Sequence, residues 1–310
     1  MPRGNRPGTR PLAGIVLVDK PAGLTSNRTL QRTRRLFEAQ KAGHTGTLDP
    51  IATGMLPVCF GAATRVSGLM LAASKCYRVT AELGVATDTG DASGTETGRR
   101  DIGAPATGDL EAAVAAMVGR IRQVPPMYSA LKHEGKRLYE LARRGIEVPR
   151  AAREVEIHEL GIEAFDWPRL TLKVHCSKGT YIRSLVTDLA AALGTVGHVA
   201  ALRRLGVGPY SESQMVGLET LEAAAEEGLE RLDGWLLGID TALADRPAVT
   251  VGEAEAEALC QGRRVMLEPG AAAASVRIYD EAGFVGLGAL ADSGELRPSR
   301  IFRPLGLGGS

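Results

Sequence analysis

Apolar and polar positions alternate along several stretches of this chain, and the period of that alternation predicts local structure. The run GIVLVD (residues 14–19) is apolar almost throughout, which is typical of a buried strand. From Tyr77 to Leu83, and again from Leu170 to Cys176, every second residue is apolar. This period predicts two strands that bury one face.

Helical periodicity marks two further segments. Thr25, Ser26 or Asn27 can cap a helix that we predict to run through roughly Gln40. A second helix, which Thr180 can cap, has four apolar residues on one side: Ile182, Leu185, Leu189 and Leu193. Between these elements, the stretch GVATDTGDASGTETG (residues 84–98) predicts a polar loop.

One run fits neither period: GHTGTLDPIATGMLP, residues 43–57. Its glycines and prolines disfavour a helix, so we predict a loop. The single carboxylate, Asp49, precedes Pro50, which pushes the backbone of Asp49 towards extended conformations. An Asp-Pro pair by itself only indicates a turn. Loops held on a rigid scaffold, however, often carry functional side chains.

The composition is that of an ordinary globular chain, with 310 residues of which 44% are hydrophobic. No apolar run reaches the length of roughly eighteen residues that indicates a membrane helix. The basic segment at residues 1–13 has no apolar signal core after it, so we expect a flexible tail and a cytoplasmic protein. The four cysteines are scattered without zinc-ligand spacing, and we therefore expect reduced thiols and no metal site.

The net charge of +1 conceals two basic segments. Residues 1–35 hold eight Lys or Arg and one acid, and residues 120–153 hold nine against three acids. Such runs are common on solvated surfaces, but two of them beside the unusual loop favour contact with RNA phosphates. The candidate contacts lie on one face of the first helix and in an RNA-gripping insertion at about residues 122–152: Arg28, Arg32, Arg35, Lys132, Lys136 and Arg137.

Four other motifs join the loop in a family resemblance. They are VDKPAGLTSNRTLQ from Val18, SKCYRV from Ser74, SKGTYIRSL from Ser177 and LRRLGVG from Leu202. In the order, spacing and residue identities of these motifs the chain resembles the TruB-type tRNA pseudouridine synthases, closely over residues 14–215 and more weakly towards its C-terminal end. The resemblance implies an α/β (α+β) pseudouridine synthase domain at 14–245, whose mixed, largely antiparallel sheet has a central cleft. A small PUA-like RNA-binding β-domain would follow at 246–310.

The resemblance also implies an activity, the isomerisation of uridine to pseudouridine at position 55 in the T loop of tRNA. This reaction needs no cofactor, and Asp49 matches the catalytic carboxylate of the family. The carboxylate can attack the sugar, attack the base or remove a sugar proton to form a glycal, and the sequence does not choose among these routes.

Further roles follow residue by residue from the same motifs. Arg183 matches the arginine that pairs with the catalytic carboxylate, and Tyr77 matches the tyrosine that stacks on the target base and is proposed to help remove its C5 proton. Leu202 matches an apolar pocket wall, and His44 the histidine that fills the space of the extruded base. Lys20 and Pro21 match positions that support the catalytic loop.

The sequence disfavours several other functions and leaves one alternative open. Asp88-Thr89-Gly90 matches the active-site triplet of aspartic proteases, but the sequence has no second copy of this triplet to form a pair of catalytic carboxylates. The same stretch lacks the spacing of a calcium loop, and the chain has no phosphate-binding GxxxxGK[ST] motif. The main alternative is a non-catalytic tRNA-binding protein or RNA-folding chaperone. In either case the expected partner is the tRNA T-arm, and we expect a monomer.

Overall fold

The computed structural model describes residues 9–129 and 131–303 of the chain. Its main element is a nine-stranded sheet. In these residues the strands before position 218 are β1 (Gly14–Lys20), β2 (Ala42–His44), β3 (Thr53–Phe60), β4 (Lys75–Leu83), β5 (Val85–Thr87), β6 (Glu96–Arg99), β7 (Gly119–Gln123), β8 (Lys132–His133), β9 (Lys136–Arg137), β10 (Arg153–Asp166), β11 (Arg169–Cys176), β12 (Gly197–Val207) and β13 (Val216–Gly217).

The strands of the large sheet follow the order β13-β1-β3-β12-β4-β11-β10-β7, and β2 pairs with β3 beside this path. Most neighbours are antiparallel, whereas β1–β13 and β3–β12 are parallel. The predicted mixed, largely antiparallel sheet is therefore confirmed. At the centre of the sheet β12 pairs with β3 over only two residue pairs, Arg203–Thr53 and Arg204–Gly54.

The described residues also form eight α-helices. They are α1 (Ser26–Leu36), α2 (Ser67–Ala72), α3 (Thr107–Ala116), α4 (Leu138–Ala142), α5 (Ile182–Ala192), α6 (Leu218–Glu227), α7 (Leu229–Asp233) and α8 (Glu253–Cys260). The alternating apolar residues of β4 and β11 pack in one core cluster with α3 and α5, as their period predicts. No helix within the described ranges has both the length and the apolar character needed to cross a bilayer.

A second, five-stranded sheet follows: β14 (Ala248–Thr250), β15 (Val265–Met266), β16 (Ala273–Asp280), β17 (Gly283–Leu290) and β18 (Glu295–Ile301). It contacts the first unit through Phe302, whose ring lies 4.8 Å from the guanidinium carbon of Arg65. Phe302 and Leu287 also share a core cluster with Ala63 and Val66. The small C-terminal β-domain thus packs directly on the larger one.

The predicted loop at residues 43–57 was too long. Its ends are β2 and β3, and only residues 45–52 lie outside strands. Pairing with β1 supplies the hydrogen bonds that override the weak strand propensity of Gly54 and Pro57. Gly54 has a φ of +96°, and a Cβ there would lie 2.2 Å from the carbonyl oxygen of Arg204, so only glycine fits this crossing.

Three other local predictions were partly wrong. The helix predicted through Gln40 ends at Leu36, because Glu38 adopts a left-handed φ of +50° that no helix continues. The helix predicted to be capped by Thr180 has Tyr181 at its N-cap, and the Thr180 hydroxyl donates to the Ser177 carbonyl instead. The predicted loop at residues 84–98 is mostly the β5–β6 hairpin.

The predicted flexible tail at residues 1–13 lies mostly outside the described residues. Within the described part, Arg10 donates to the carboxylate of Asp233 and, at 3.0 Å, to the carbonyl of Phe37. This stretch of the N-terminal segment is therefore tied to α7 and to the end of α1.

Candidate active site

The irregular segment between β2 and β3 carries Asp49 and is held on both sides of it. The Ser26 hydroxyl donates to the Leu48 carbonyl at 3.0 Å and accepts from the Leu48 N–H at 2.8 Å. The Gly23 N–H donates to the Pro50 carbonyl at 2.8 Å. These bonds come from the start of α1 and the turn before it, and they fix the backbone immediately before and after Asp49.

Lys20, the last residue of β1, also contacts the segment that carries Asp49. Its side chain is fully buried, and its Nζ donates to the carbonyls of Pro21 (2.8 Å), Leu24 (2.7 Å) and Pro50 (3.3 Å). Burial lowers the pKa of Lys20 to about 8, while the nearby Asp49 carboxylate acts in the opposite direction. Lys20 thus contacts both Pro21 and the segment that carries Asp49, and the supporting role of Lys20 and Pro21 stays a prediction.

Asp49 forms an ion pair with Arg183, the second residue of α5. The Arg183 Nη2 lies 3.0 Å from the Asp49 Oδ2. The Asp49 side chain is 37% exposed, whereas that of Arg183 is only 6% exposed. A ligand can therefore reach the carboxylate from the open side of the cleft while the guanidinium remains behind it.

Arg183 is held in place independently of Asp49. Its Nη1 donates to the Thr89 carbonyl at 2.7 Å, and its Nη2 donates to the Tyr128 carbonyl at 2.6 Å. These carbonyls belong to the turn of the β5–β6 hairpin and to the predicted insertion. A planar guanidinium with several fixed partners has one orientation, so it also fixes the carboxylate that it faces.

A second carboxylate, Asp91, lies on the far side of Arg183. It is 4% exposed, and its Oδ2 is 3.8 Å from the Arg183 Nη1. Its Oδ1 accepts hydrogen bonds from the Thr89 hydroxyl at 2.8 Å and from the Ser93 N–H at 3.0 Å. Arg183 therefore contacts two acids, of which Asp49 is partly exposed and Asp91 is buried.

The surroundings of Asp49 act on its ionisation in both directions. Burial is the largest effect and raises the pKa of Asp49 above the ordinary value for an aspartic acid, and the charge of Asp91 raises it further. Arg183 and Lys20 oppose this shift and favour the carboxylate. The net result is a carboxyl group that is less acidic than a solvated one.

Tyr77 and Leu202 lie on neighbouring strands beside this carboxylate. Tyr77 on β4 is half-buried, and its cross-strand partner on β12 is Arg204. Leu202 is 9% exposed and belongs to the core cluster that contains Leu48 and against which Tyr77 packs. Burial raises the pKa of the Tyr77 phenol, and Arg204 works against that rise. The aromatic ring and the leucine supply the apolar side of the cleft.

His44 ends β2, one residue before the irregular segment. Its ring is half-buried, and its Nδ1 has no hydrogen-bond partner in the described part of the chain. Burial lowers the pKa of His44, and the charge of Arg204 lowers it further. A neutral imidazole with one unsatisfied nitrogen can accept or donate a hydrogen bond when a ligand enters.

The six predicted RNA-backbone residues all lie on the surface. Arg28, Arg32 and Arg35 share α1, and Lys132, Lys136 and Arg137 share the β8–β9 hairpin. Arg32 is already engaged, since its Nε lies 2.5 Å from a carboxylate oxygen of Glu222. The sequence placed these residues on accessible surfaces, but it did not reveal this partner.

Sequence reasoning missed Asp91 and Arg204. Asp91 was hidden in a stretch read as a polar loop, and no local pattern distinguishes it from its neighbours. Arg204 had a weak signal, because it lies two residues after Leu202 and so on the same face of the strand. Within the ranges that the structure describes, no group of three or more His, Cys, Asp or Glu side chains is arranged to hold a metal.

Comparison with known proteins gives matches along nearly the whole chain. The model of the "TruB family pseudouridylate synthase (N terminal domain)" matches residues 34–182. The "tRNA pseudouridylate synthase B C-terminal domain" matches 183–244, and "Pseudouridine synthase II TruB, C-terminal" matches 247–302.

Curated relatives and solved structures agree with these matches. A protein of Chromohalobacter salexigens named tRNA pseudouridine synthase B is 46% identical over 307 residues, which cover 97% of this chain and 98% of that protein. A protein of the same name from Pseudomonas aeruginosa is 46% identical and covers 95% and 97%. A solved Cbf5-Nop10-Gar1 complex contains a chain with a TM-score of 0.73 and 24% identity, covering 94% of this chain and 85% of that one. At this identity the structural match concerns the fold.

Proposed function

The chain belongs to the TruB family of pseudouridylate synthases, and from this premise we propose that it converts a uridine in the T loop of tRNA, at position 55, into pseudouridine. Asp49 is the reactive carboxylate. The observation that carries the proposal is the pair of Asp49 and Arg183, in which an accessible acid faces a buried, fixed guanidinium at 3.0 Å.

The reaction places few demands on the protein. The N-glycosidic bond of the uridine breaks, the base turns, and C5 of the base bonds to C1′ of the sugar. A detached uracil carries its negative charge on its own oxygens, so one ionised carboxylate near the sugar suffices. Arg183 and Lys20 favour that ionised form of Asp49. Attack on the sugar, attack on the base and glycal formation all remain compatible with this geometry.

The target base must leave the RNA stack before it can reach Asp49. Tyr77 offers an aromatic face for stacking, and Leu202 offers an apolar wall in the same cluster. His44, with its unsatisfied Nδ1, is available to fill the place of the extruded base. These residues thus favour a flipped pyrimidine by shape and stacking.

A minimal T-arm hairpin tests the proposal directly. We expect purified protein to convert one loop uridine into pseudouridine, because recognition rests on the loop and one extruded base. The same hairpin with cytidine at that position should not react, because an amine replaces the O4 acceptor. Mapping pseudouridine position by position provides the readout. Tight binding with no product at any position would favour the alternative, a non-catalytic RNA-binding protein or chaperone.

The single-turnover rate should fall at acid pH, and the pKa of Asp49 sets where it falls. The carboxylate form is required, and burial raises this pKa, so the rate should increase with pH until it passes a value above that of an ordinary aspartic acid. Asp91→Asn removes a charge that raises the pKa of Asp49, so it should move the acid limb of the pH–rate profile to lower pH. A limb that stays in place in Asp91→Asn would contradict the electrostatic account.

Binding of tRNA should weaken with salt, and the basic residues should set the slope. Each phosphate contact removed by Arg→Gln or Lys→Gln should flatten the plot of log affinity against log salt by roughly 0.7–0.9. We expect this for Arg28 and Lys136, which are exposed. Arg32 is a matched control on α1, since Glu222 already neutralises it and its removal should change the slope less. If every variant has the same slope as the wild type, these residues are merely solvated and do not contact phosphates.

The remaining expectations belong to the same proposal. The 246–310 segment acts as an RNA-binding module, the protein works as a monomer, and its compartment is the cytoplasm, where its tRNA substrate would be found. Light scattering of the free protein and of its complex with the hairpin measures the oligomeric state. The affinity of variants altered in the second sheet for the hairpin tests the RNA-binding role. One protein per hairpin, and weaker binding when the second sheet is altered, are the expected results.

A further inference from the structure

Arg204 is a buried cation that forms no ion pair with the residues that the structure describes. Its residue is 1% exposed, and it is absent from the ion pairs of the described residues. A guanidinium stays protonated under all ordinary conditions, so the charge cannot be removed by a proton shift. Burying an unpaired charge is strongly unfavourable. Such a residue needs a strong structural or functional reason to persist.

The first contacts of Arg204 are with the segment that carries Asp49. Its Nε donates to the Met55 carbonyl at 2.7 Å, and its Nη2 donates to the Gly46 carbonyl at 3.1 Å. Gly46 precedes Asp49 and Met55 follows it. One side chain therefore connects the two ends of the segment that carries Asp49.

The other contact of Arg204 is with Tyr77. The two residues are direct cross-strand partners in the antiparallel pair of β12 and β4. Side chains of such partners lie on the same face of the sheet. The positive charge of Arg204 acts on the phenol of Tyr77 and opposes the rise in its pKa that burial causes. Arg204 thus connects the residue predicted to act on the base with the segment that carries the reactive carboxylate.

We propose that Arg204 is a positioning residue for Tyr77, holding its phenol oxygen in register with Asp49 so that Tyr77 can remove the proton from C5 of the base. This inference rests on the proposed function. Burial disfavours the phenolate of Tyr77, and the positive charge of Arg204 opposes this effect, so that the Tyr77 proton can pass to water before the base is deprotonated.

The proton-transfer step balances as follows. Once C1′ is bonded to C5, the C5 proton passes to the phenolate oxygen of Tyr77. The electron pair of that C–H bond restores the C5–C6 double bond, and the electron pair of the C6–N1 double bond moves onto N1. N1, which has lost its bond to the sugar, takes from water a proton that replaces the one Tyr77 released. The phenol is regenerated, and the product is an isomer of the substrate.

A hydrogen isotope effect separates this role from a purely structural one. The substrate is the T-arm hairpin with deuterium or hydrogen at C5 of the target uridine, and single-turnover product formation is measured. In Arg204→Met and in Tyr77→Phe we expect removal of the C5 proton to become the slowest step. Both variants should then show a primary isotope effect larger than that of the wild type, with a rate loss of roughly tenfold or more.

Two further variants sharpen the comparison. Arg204→Lys keeps the charge but has no fork to reach both carbonyls and the phenol, so it should recover part of the rate and reduce the isotope effect relative to Arg204→Met. It also serves if Arg204→Met does not fold. Arg203→Met is the matched control, because Arg203 is the adjacent residue on β12 and pairs with Asp19 and Glu212. It should behave as the wild type in both measurements.

The outcomes separate this inference from the proposed function. If the Arg204 variants are slow but have the isotope effect of the wild type, Arg204 acts only on the loop and the inference is wrong. If Tyr77→Phe also lacks an enlarged isotope effect, the role of Tyr77 in the proposed function fails with it. If the wild type makes no pseudouridine, the proposed function itself is wrong.

Discussion

Replacing Asp49 with asparagine should abolish pseudouridine formation and leave tRNA binding nearly unchanged. Asparagine preserves the shape of the side chain, but a neutral amide can neither attack carbon nor accept the proton. We expect the single-turnover rate on the hairpin to fall by at least about a thousandfold. Binding should persist, because protein–nucleic acid affinity generally comes from contacts with the phosphates and sugars, and one carboxylate contributes little to it.

Two companion variants make this result decisive. Asp49→Ala cannot regain a carboxylate by deamidation, so it excludes a trace of restored enzyme as the source of residual product. Asp101→Asn makes the same chemical change at an exposed aspartate and should keep the full rate. Near-normal turnover in Asp49→Asn and Asp49→Ala would remove Asp49 from the chemistry.

Replacing Arg183 with methionine should have the second largest effect, a loss of roughly a hundredfold or more in rate at neutral pH. Methionine fills much of the space but leaves Asp49 without the cation that opposes burial. The pKa of Asp49 then rises further, and less carboxylate is present. Higher pH should restore part of the activity of this variant, because more of the carboxyl groups lose their proton as pH rises.

The chain supplies two comparisons for this prediction. Arg183→Lys retains the charge, but a single ammonium cannot face Asp49 and also reach the carbonyls of Thr89 and Tyr128, so it should recover only part of the rate. Arg78→Met removes an exposed arginine that pairs with Glu163 at 2.5 Å. Surface pairs of this kind contribute about 0–1 kcal/mol, and we expect no loss of rate. Equal losses in Arg78→Met and Arg183→Met would mean that general instability explains both.

Local patterns in the sequence determined a large part of this fold. The alternation from Tyr77 to Leu83 and from Leu170 to Cys176 predicted two strands that each bury one face, and these strands are β4 and β11, which the structure pairs with each other. A period of two is a property of a few consecutive residues, so it can be read without knowing the fold. The unusual composition around Asp49 likewise marked the segment that faces the cleft.

Tertiary structure decided what local patterns could not. Residues 53–57 read as loop because of their glycine and proline, yet pairing with β1 makes them part of a strand. Asp91 looked like one polar residue among many until the β5–β6 hairpin placed it against Arg183. In both cases the deciding partners lie far away in the chain.

The same reason limits what the sequence reveals about the site. It identified Asp49, Arg183 and Tyr77 through their motifs, because each motif is a local string. It did not reveal Arg204 as the link between Tyr77 and the loop, since that link depends on the register between β12 and β4. Register and crossing positions are set by the packing of whole strands, and no short stretch of sequence contains them.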